Sequence, residues 1–425
     1  MRSLGLSAIL LVACVTPQAP QSPDMVPASG TSGSSESAAP SAAGASTPPV
    51  STGPKKIVGY FTNWSKYRKG GCAFTAADVK PELLTHINFA FAKVDPGPGG
   101  KAKPKFGVAA YDPADLGPNG NYVQVNALKK KSPGLKTGLS IGGWSHNEGD
   151  MAWLFTTMAE KESTRAEFIK ATIDYTRKHD FDGIDLDWEY PGDPTRGGRT
   201  IDTATFTALL KEFRTAIDAE AKATGKPALE LTIAAPAGVA SRFLELGKIH
   251  EPLDWINLMS YDYEGGWQTF TGHNAPGPDV GPGIKGSVSA YMNFGVPANK
   301  IVLGMATYGR SFAGAEDSKP GAPAKGNGPV GRCTDAPGML SYFEIVELLK
   351  GGKYKQTWDE KNLVPYAYDA AAKIWISYDD EKSFNKKMDF IDQKGLAGAM
   401  FWALDMDDFK NGYPLIGSVA KRYKK

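Results

Sequence analysis

Residues 182–189 read Asp-Gly-Ile-Asp-Leu-Asp-Trp-Glu, which places carboxylates at Asp185, Asp187 and Glu189 with a spacing of two. In an extended strand, residues two apart share one face. The three acids therefore point one way, while Ile184, Leu186 and Trp188 point the other. Carboxylates this close cannot all ionise cheaply; they share protons and titrate in separate steps. Glu189, the last of them and the nearest to the strand's end, is the candidate general acid with a raised pKa. A solvated edge strand or a divalent-ion site would also use acids at this spacing. Ile184, Leu186 and Trp188 argue against the edge, because they need a buried face. No second cluster of acids or histidines at comparable spacing supports a metal.

Acids on a strand do chemistry only if other elements wall them in. Eight strand-like stretches are legible: Lys56–Thr62, Leu84–Val94, Lys136–Ile141, Phe181–Glu189, Leu229–Ala235, Trp255–Tyr261, Ile301–Tyr308 and Ala397–Trp402. Between them, Thr164–His179 and Thr203–Ala223 have helical spacing. In the second, Phe206, Leu209, Leu210, Phe213 and Ile217 recur at steps of three and four, with Thr203 or Thr205 as the expected cap and Gly225 as the stop. Strand alternating with helix eight times predicts an α/β fold, a (β/α)8 TIM barrel. The interval before the last strand is too long for a loop. Residues 311–373, with a helix-like stretch at Ser341–Leu349, are expected to form a small α+β insertion between strands 7 and 8. In such barrels catalytic groups stand at the C-terminal ends of strands, and the fourth strand meets that demand.

The chain has 425 residues, 41% of them hydrophobic, which is globular and excludes a fibrous or wholly disordered protein. Lys and Arg (48) nearly balance Asp and Glu (46), so the basic field of a nucleic-acid binder is missing and a neutral partner is expected. All 45 aromatic residues lie beyond residue 54, a density that suggests some line a cleft. Three cysteines, Cys14, Cys72 and Cys333, are too few for a zinc cluster or a disulfide scaffold; Cys72 and Cys333 could pair in an exported domain.

Met1–Cys14, one Arg followed by a short apolar run, suits an export signal and is too short to span a bilayer. Its last residues, Leu11-Val12-Ala13-Cys14, resemble the lipobox of bacterial lipoproteins, which makes Cys14 the candidate lipidation site; an ordinary cleaved signal is the alternative. Between residues 15 and 54, Ser, Pro, Ala, Gly and Thr make up 32 of 40 positions, without any Leu, Ile or aromatic residue. No core can form there, and a flexible tether spanning roughly 35 Å is expected.

Asp182–Pro191 resembles the DxxDxDxE signature of glycoside hydrolase family 18, the chitinases. Other segments are similar to family motifs in the same order: Ser140-Ile-Gly-Gly-Trp144, Met259-Ser-Tyr261-Asp262, Tyr308-Gly-Arg310 and the closing Phe401-Trp402. The likeness covers nearly all of residues 55–425, and the insertion resembles that of deep-cleft chitinases. It implies cleavage of β-1,4 N-acetylglucosamine linkages with retention, by substrate-assisted catalysis. Glu189 would be the acid and then the base. Asp187 would orient the substrate acetamido group, Asp185 would tune the proton sharing, and Tyr261 would bond the acetamido oxygen.

The resemblance further implies that Trp402 floors the cleaved sugar and that Trp144 and Trp267 extend the platform. Tyr60 and Ser140 would settle Asp185, unless they make only a core hydrogen bond. Asp262 and Arg310 would line the product side, and Met259 and Tyr190, inside the motifs, complete the substrate-binding set. No metal or organic cofactor is implied. The partner expected is chitin or a chito-oligosaccharide, with no nucleic acid, a membrane contacted only through the N-terminal lipid, and a monomeric state. A chitin-binding lectin on the same fold, or a hydrolase of another N-acetylglucosamine-containing glycan, is the alternative; lectin-like members typically lose the acid that stands here as Glu189.

Overall fold

The computed structural model describes residues 53–278 and 283–424. Cys14 and almost all of the expected tether lie outside the described residues.

Eight parallel strands close into a barrel: β1 (Lys56–Thr62), β2 (His86–Asp95), β3 (Lys136–Gly142), β4 (Gly183–Asp187), β5 (Glu230–Pro236), β6 (Trp255–Met259), β7 (Ile301–Ala306) and β8 (Gly398–Trp402). Closure comes from β1, which pairs with β2 on one side (Val58 with His86) and with β8 on the other (Lys56 with Gly398). Residue parity sorts the strands into two cores. Ile184 and Leu186 of β4 join the large apolar layer between sheet and helices, where Trp188 stacks on Phe155 at 5.1 Å and meets Phe206 edge-on at 5.4 Å. The opposite parity fills the barrel with Val58, Tyr60, Trp255, Val302 and Met400. Asp185 and Asp187 have this inward parity.

The long helix expected at 203–223 runs Asp202–Thr224 and ends at Gly225 in the left-handed region (φ 69°), which glycine adopts without steric cost. Neither Thr203 nor Thr205 caps it. Asp202 instead accepts the Arg199 N–H at 2.6 Å and the Thr156 hydroxyl at 2.8 Å, because the acid reaches both from the first turn. The insertion is a five-stranded antiparallel sheet in the order Met339–Ser341, Tyr308–Phe312, Ile374–Ser377, Val364–Asp369, Lys355–Asp359. One helix, Tyr342–Lys350, packs on it. The bounds 311–373 are too narrow. Tyr308–Phe312 reads like a continuation of β7 but pairs with Ile374–Ser377 (Arg310 with Ser377), so both of these strands, which flank the expected bounds, belong to the insertion. An antiparallel strand at Gly107–Ala110, not anticipated, extends β2 beyond the barrel rim. A disulfide joins Cys72, in the loop after β1, to Cys333 in the insertion, with Cα atoms 5.5 Å apart.

Candidate active site

Ladder register sets the acids. Ser140 pairs with Asp185 across β3–β4, and Asp185 pairs with Thr232 across β4–β5, so both hydroxyls flank the carboxylate. Asp185 is fully buried and accepts four hydrogen bonds: from Tyr60 Oη (2.8 Å), Ser140 Oγ (2.7 Å), Thr232 Oγ1 (2.6 Å) and Asn257 Nδ2 (3.1 Å). Burial raises its pKa and these four donors pull it back, leaving it above the ordinary value. Thr232 and Asn257 were not singled out in the sequence. Their signal is inward parity on β5 and β6, Asn257 lying two residues before Met259.

Asp187, one step nearer the mouth, is buried, and its Oδ1 has no hydrogen-bond partner among the described residues. Burial, then the charges of Glu189 and Asp185, push its pKa well up, against the opposing charge of Arg196. Gly142 lets β3 lie against it: at φ 119°, a Cβ there would come within 2.1 Å of the Asp187 carbonyl oxygen. Gly143 N–H donates to that same oxygen at 2.9 Å. Glu189 follows β4 at the carboxyl end. Burial raises its pKa to about 7, with Arg196 and the Tyr190 hydrogen bond working the other way. Asp187 and Glu189 titrate as a pair that retains a proton near neutrality. Asp182, the first acid of the motif, sits at the other end of the strand, where Oδ2 accepts the Thr137 N–H at 2.9 Å.

Around the acids stand the aromatic residues. Tyr261 reaches Met400 Sδ at 3.8 Å, and burial, then Asp187, raises its pKa well up. Tyr190 is likewise raised, by burial and then by Glu189. Trp402 closes the barrel's centre, packed by Tyr60 (5.5 Å), Phe91 (5.7 Å) and Trp64 (6.2 Å). Met259 packs beside it in the barrel core. Trp64, Trp144 and Trp267 remain 40–45% exposed, a wasteful arrangement for core residues but a suitable one for platforms. Asp262 grips Arg310 in a fork, Nε to Oδ1 and Nη2 to Oδ2 both at 2.8 Å, and accepts the Tyr308 hydroxyl at 2.7 Å. The Arg310 guanidinium in turn lies 5.2 Å from the Trp267 ring. Every residue predicted for the site among the described residues therefore lies on the barrel interior or at its carboxyl-end mouth. Trp64, Phe91, Asn147 and Arg196 join them without having been predicted.

The sequence profile of the glycosyl hydrolases family 18 matches residues 56–407. The chain belongs to glycoside hydrolase family 18. Chitotriosidase-1 of Mus musculus is 39% identical over 382 residues, 86% of this chain and 77% of its own length. Among solved structures, catalytic domain 2 of the Group II chitinase of Ostrinia furnacalis superposes with a TM-score of 0.78 at 32% identity, covering 87% of this chain and 96% of its own. Human YKL-39, described as a pseudo-chitinase with retained chitooligosaccharide binding, matches with a TM-score of 0.77 at 33% identity, over 87% of this chain and 100% of its own. This family 18 member is a glycoside hydrolase of the chitinase type.

Proposed function

We propose that the enzyme hydrolyses chitin and chito-oligosaccharides with retention, using the substrate's own acetamido group as nucleophile. The observation that carries this reading is the buried Asp187 oxygen with no hydrogen-bond partner among the described residues, two residues before Glu189, whose pKa burial raises. An acetamido N–H supplies the missing donor. A carboxylate with Asp185 behind it on the strand and Glu189 just beyond the strand's end suits orienting and charge stabilisation.

Glu189 gives its proton to the glycosidic oxygen as the bond to the anomeric carbon breaks and its electron pair leaves with that oxygen. The acetamido carbonyl oxygen attacks the anomeric carbon, forming an oxazolinium ion. Asp187 accepts the acetamido N–H and balances the positive charge, and Tyr261 donates to the acetamido oxygen to hold it in line. Asp185, fixed by its four donors, holds Asp187 in place and tunes the proton sharing of the acids. Water then loses a proton to Glu189 and attacks the anomeric carbon, reopening the ring with the original β configuration. Trp402 supplies the apolar floor, with Met259 and Tyr190 shaping it; Trp144, Trp267, Asp262 and Arg310 continue the cleft. The Cys72–Cys333 bond supports an exported protein, and the sequence of Met1–Cys14 supports a lipid anchor on Cys14.

Proton NMR of fresh products from a soluble chito-oligosaccharide tests the mechanism. Predominant β-anomer at early times, abolished in Glu189→Gln, is expected; predominant α-anomer would mean inversion and refute it. Binding without turnover by the wild type would place the protein with pseudo-chitinases.

A further inference from the structure

The loop after β4 folds back over the strand it leaves. Pro194–Arg196 makes one short turn ending at Gly197 in the left-handed region (φ 77°), where a Cβ would come within 2.8 Å of the Ala152 carbonyl oxygen. This close approach buries the Arg196 side chain against the loop that follows β3. All three guanidinium nitrogens are used. Nε donates to the Glu189 carbonyl oxygen at 2.8 Å, Nη1 to Glu148 Oε1 at 3.0 Å, and Nη2 to the Trp144 carbonyl oxygen. The same guanidinium lies 3.4 Å from the centre of the Trp144 ring. On the other side of Glu189, its N–H donates to Asn147 Oδ1 at 3.2 Å. The Glu189 peptide is thus gripped from both sides, one grip being the group that supports the exposed Trp144 indole.

We propose that Arg196 is a positioning residue that fixes the acid Glu189 and the sugar platform Trp144 as one unit, coupling the stacking of a sugar on Trp144 to delivery of the Glu189 proton. The assignment rests on the functional reading above. A planar fork that meets two main-chain carbonyls and a ring face has no equivalent in lysine. The arrangement also carries charge. Asp187 on β4, Tyr190 just beyond it, Glu148 after β3 and both Tyr261 and Asp262 after β6 act electrostatically on Glu189, and Arg196 is the cation among them. Burial is the main influence raising Glu189, and Arg196 is the leading one opposing it. Removing this charge makes Glu189 hold its proton to higher pH, so the alkaline limb of kcat/KM moves up.

The test compares Arg196→Gln, Arg196→Lys and Trp144→Ala in the full chain, with chitopentaose as substrate, kcat and KM against pH, thermal denaturation, and 13C NMR titration of the Glu189 carboxyl. In Arg196→Gln the alkaline limb and the carboxyl titration are expected to rise together by about one pH unit. Its KM is expected to rise as in Trp144→Ala, with kcat down roughly 10- to 100-fold as the acid loses its alignment. Arg196→Lys is expected to restore the titration but not KM or kcat, because it returns the charge without the fork. An unmoved titration in Arg196→Gln, or losses in both variants that only track the folded fraction, would overturn the assignment. If the wild type turns over no oligosaccharide, the functional reading falls. The carboxyl titration and chitopentaose affinity then decide the Arg196 assignment: a raised titration with weakened binding supports it, and neither overturns it.

Discussion

Replacing the acid should stabilise the protein while silencing it. Glu189 is buried, and its carboxyl is held at about 7 against an ordinary value of 4.5. A raised folded-state value means that the native protein takes up its proton more readily than the unfolded chain. The native state is therefore favoured below the unfolded value and loses that advantage as pH rises through the folded one. With each pH unit worth about 1.4 kcal/mol, ionised Glu189 costs the native state about 3 kcal/mol at pH 8 and only a few tenths at pH 4. Glu189→Gln keeps the shape and removes the charge. Urea denaturation of both proteins at pH 4, 5.5, 7 and 8, with the disulfide intact, should give superposable curves at pH 4 and a variant more stable by about 2–3 kcal/mol at pH 8. A gain of equal size at both extremes, or none at pH 8, would refute the reasoning, because it would mean that the site does not hold an ion against its burial.

Thr232→Val removes the 2.6 Å donor from Asp185; ionised Asp185 loses support, so the acidic limb of kcat/KM should move up by about one pH unit while the alkaline limb stays, as a pH–rate profile will read. Trp267→Ala should raise KM for chitopentaose roughly 3- to 10-fold and leave short substrates nearly unaffected, which steady-state kinetics on oligomers of graded length will check. Cys72→Ser with Cys333→Ser should lower stability by about 2–5 kcal/mol by urea denaturation, with kcat nearly unchanged because the bond joins the loop after β1 to the insertion, neither of which carries the acids. Cys14→Ser should move the protein from the membrane to the soluble fraction on cell fractionation, and continued membrane retention would count against the lipid anchor.

The parts of the fold legible in the sequence were those governed by periodicity. Asp185 and Asp187 alternate with Ile184 and Leu186, and that parity specified both the strand and the side on which the chemistry sits. The insertion was legible as a long interval but not in its limits, since Tyr308–Phe312 follows β7 after a single residue, Thr307, with no Gly or Pro turn between them to mark the change of sheet. Thr232 and Asn257 carry ordinary inward parity, and only the closed barrel brings them to Asp185. Arg196 was hidden more thoroughly. Two of its partners are main-chain carbonyls, of Glu189 and Trp144, and a carbonyl leaves no mark in a sequence.

The Cys72–Cys333 bond has a topological consequence. It closes residues 72–333 into a covalent ring that contains β2 to β7 and all three acids, its joined ends having a sequence separation of 261. A single protease cut in any loop of that ring opens it without releasing a fragment. β1 and β8 lie outside the ring, on the two tails, and are held to each other and to the barrel by their ladders. In a proteolytic environment the catalytic strand is thus the protected part of the molecule, and the seam where β1 meets β8 is where cleavage of a tail can detach a piece of the barrel.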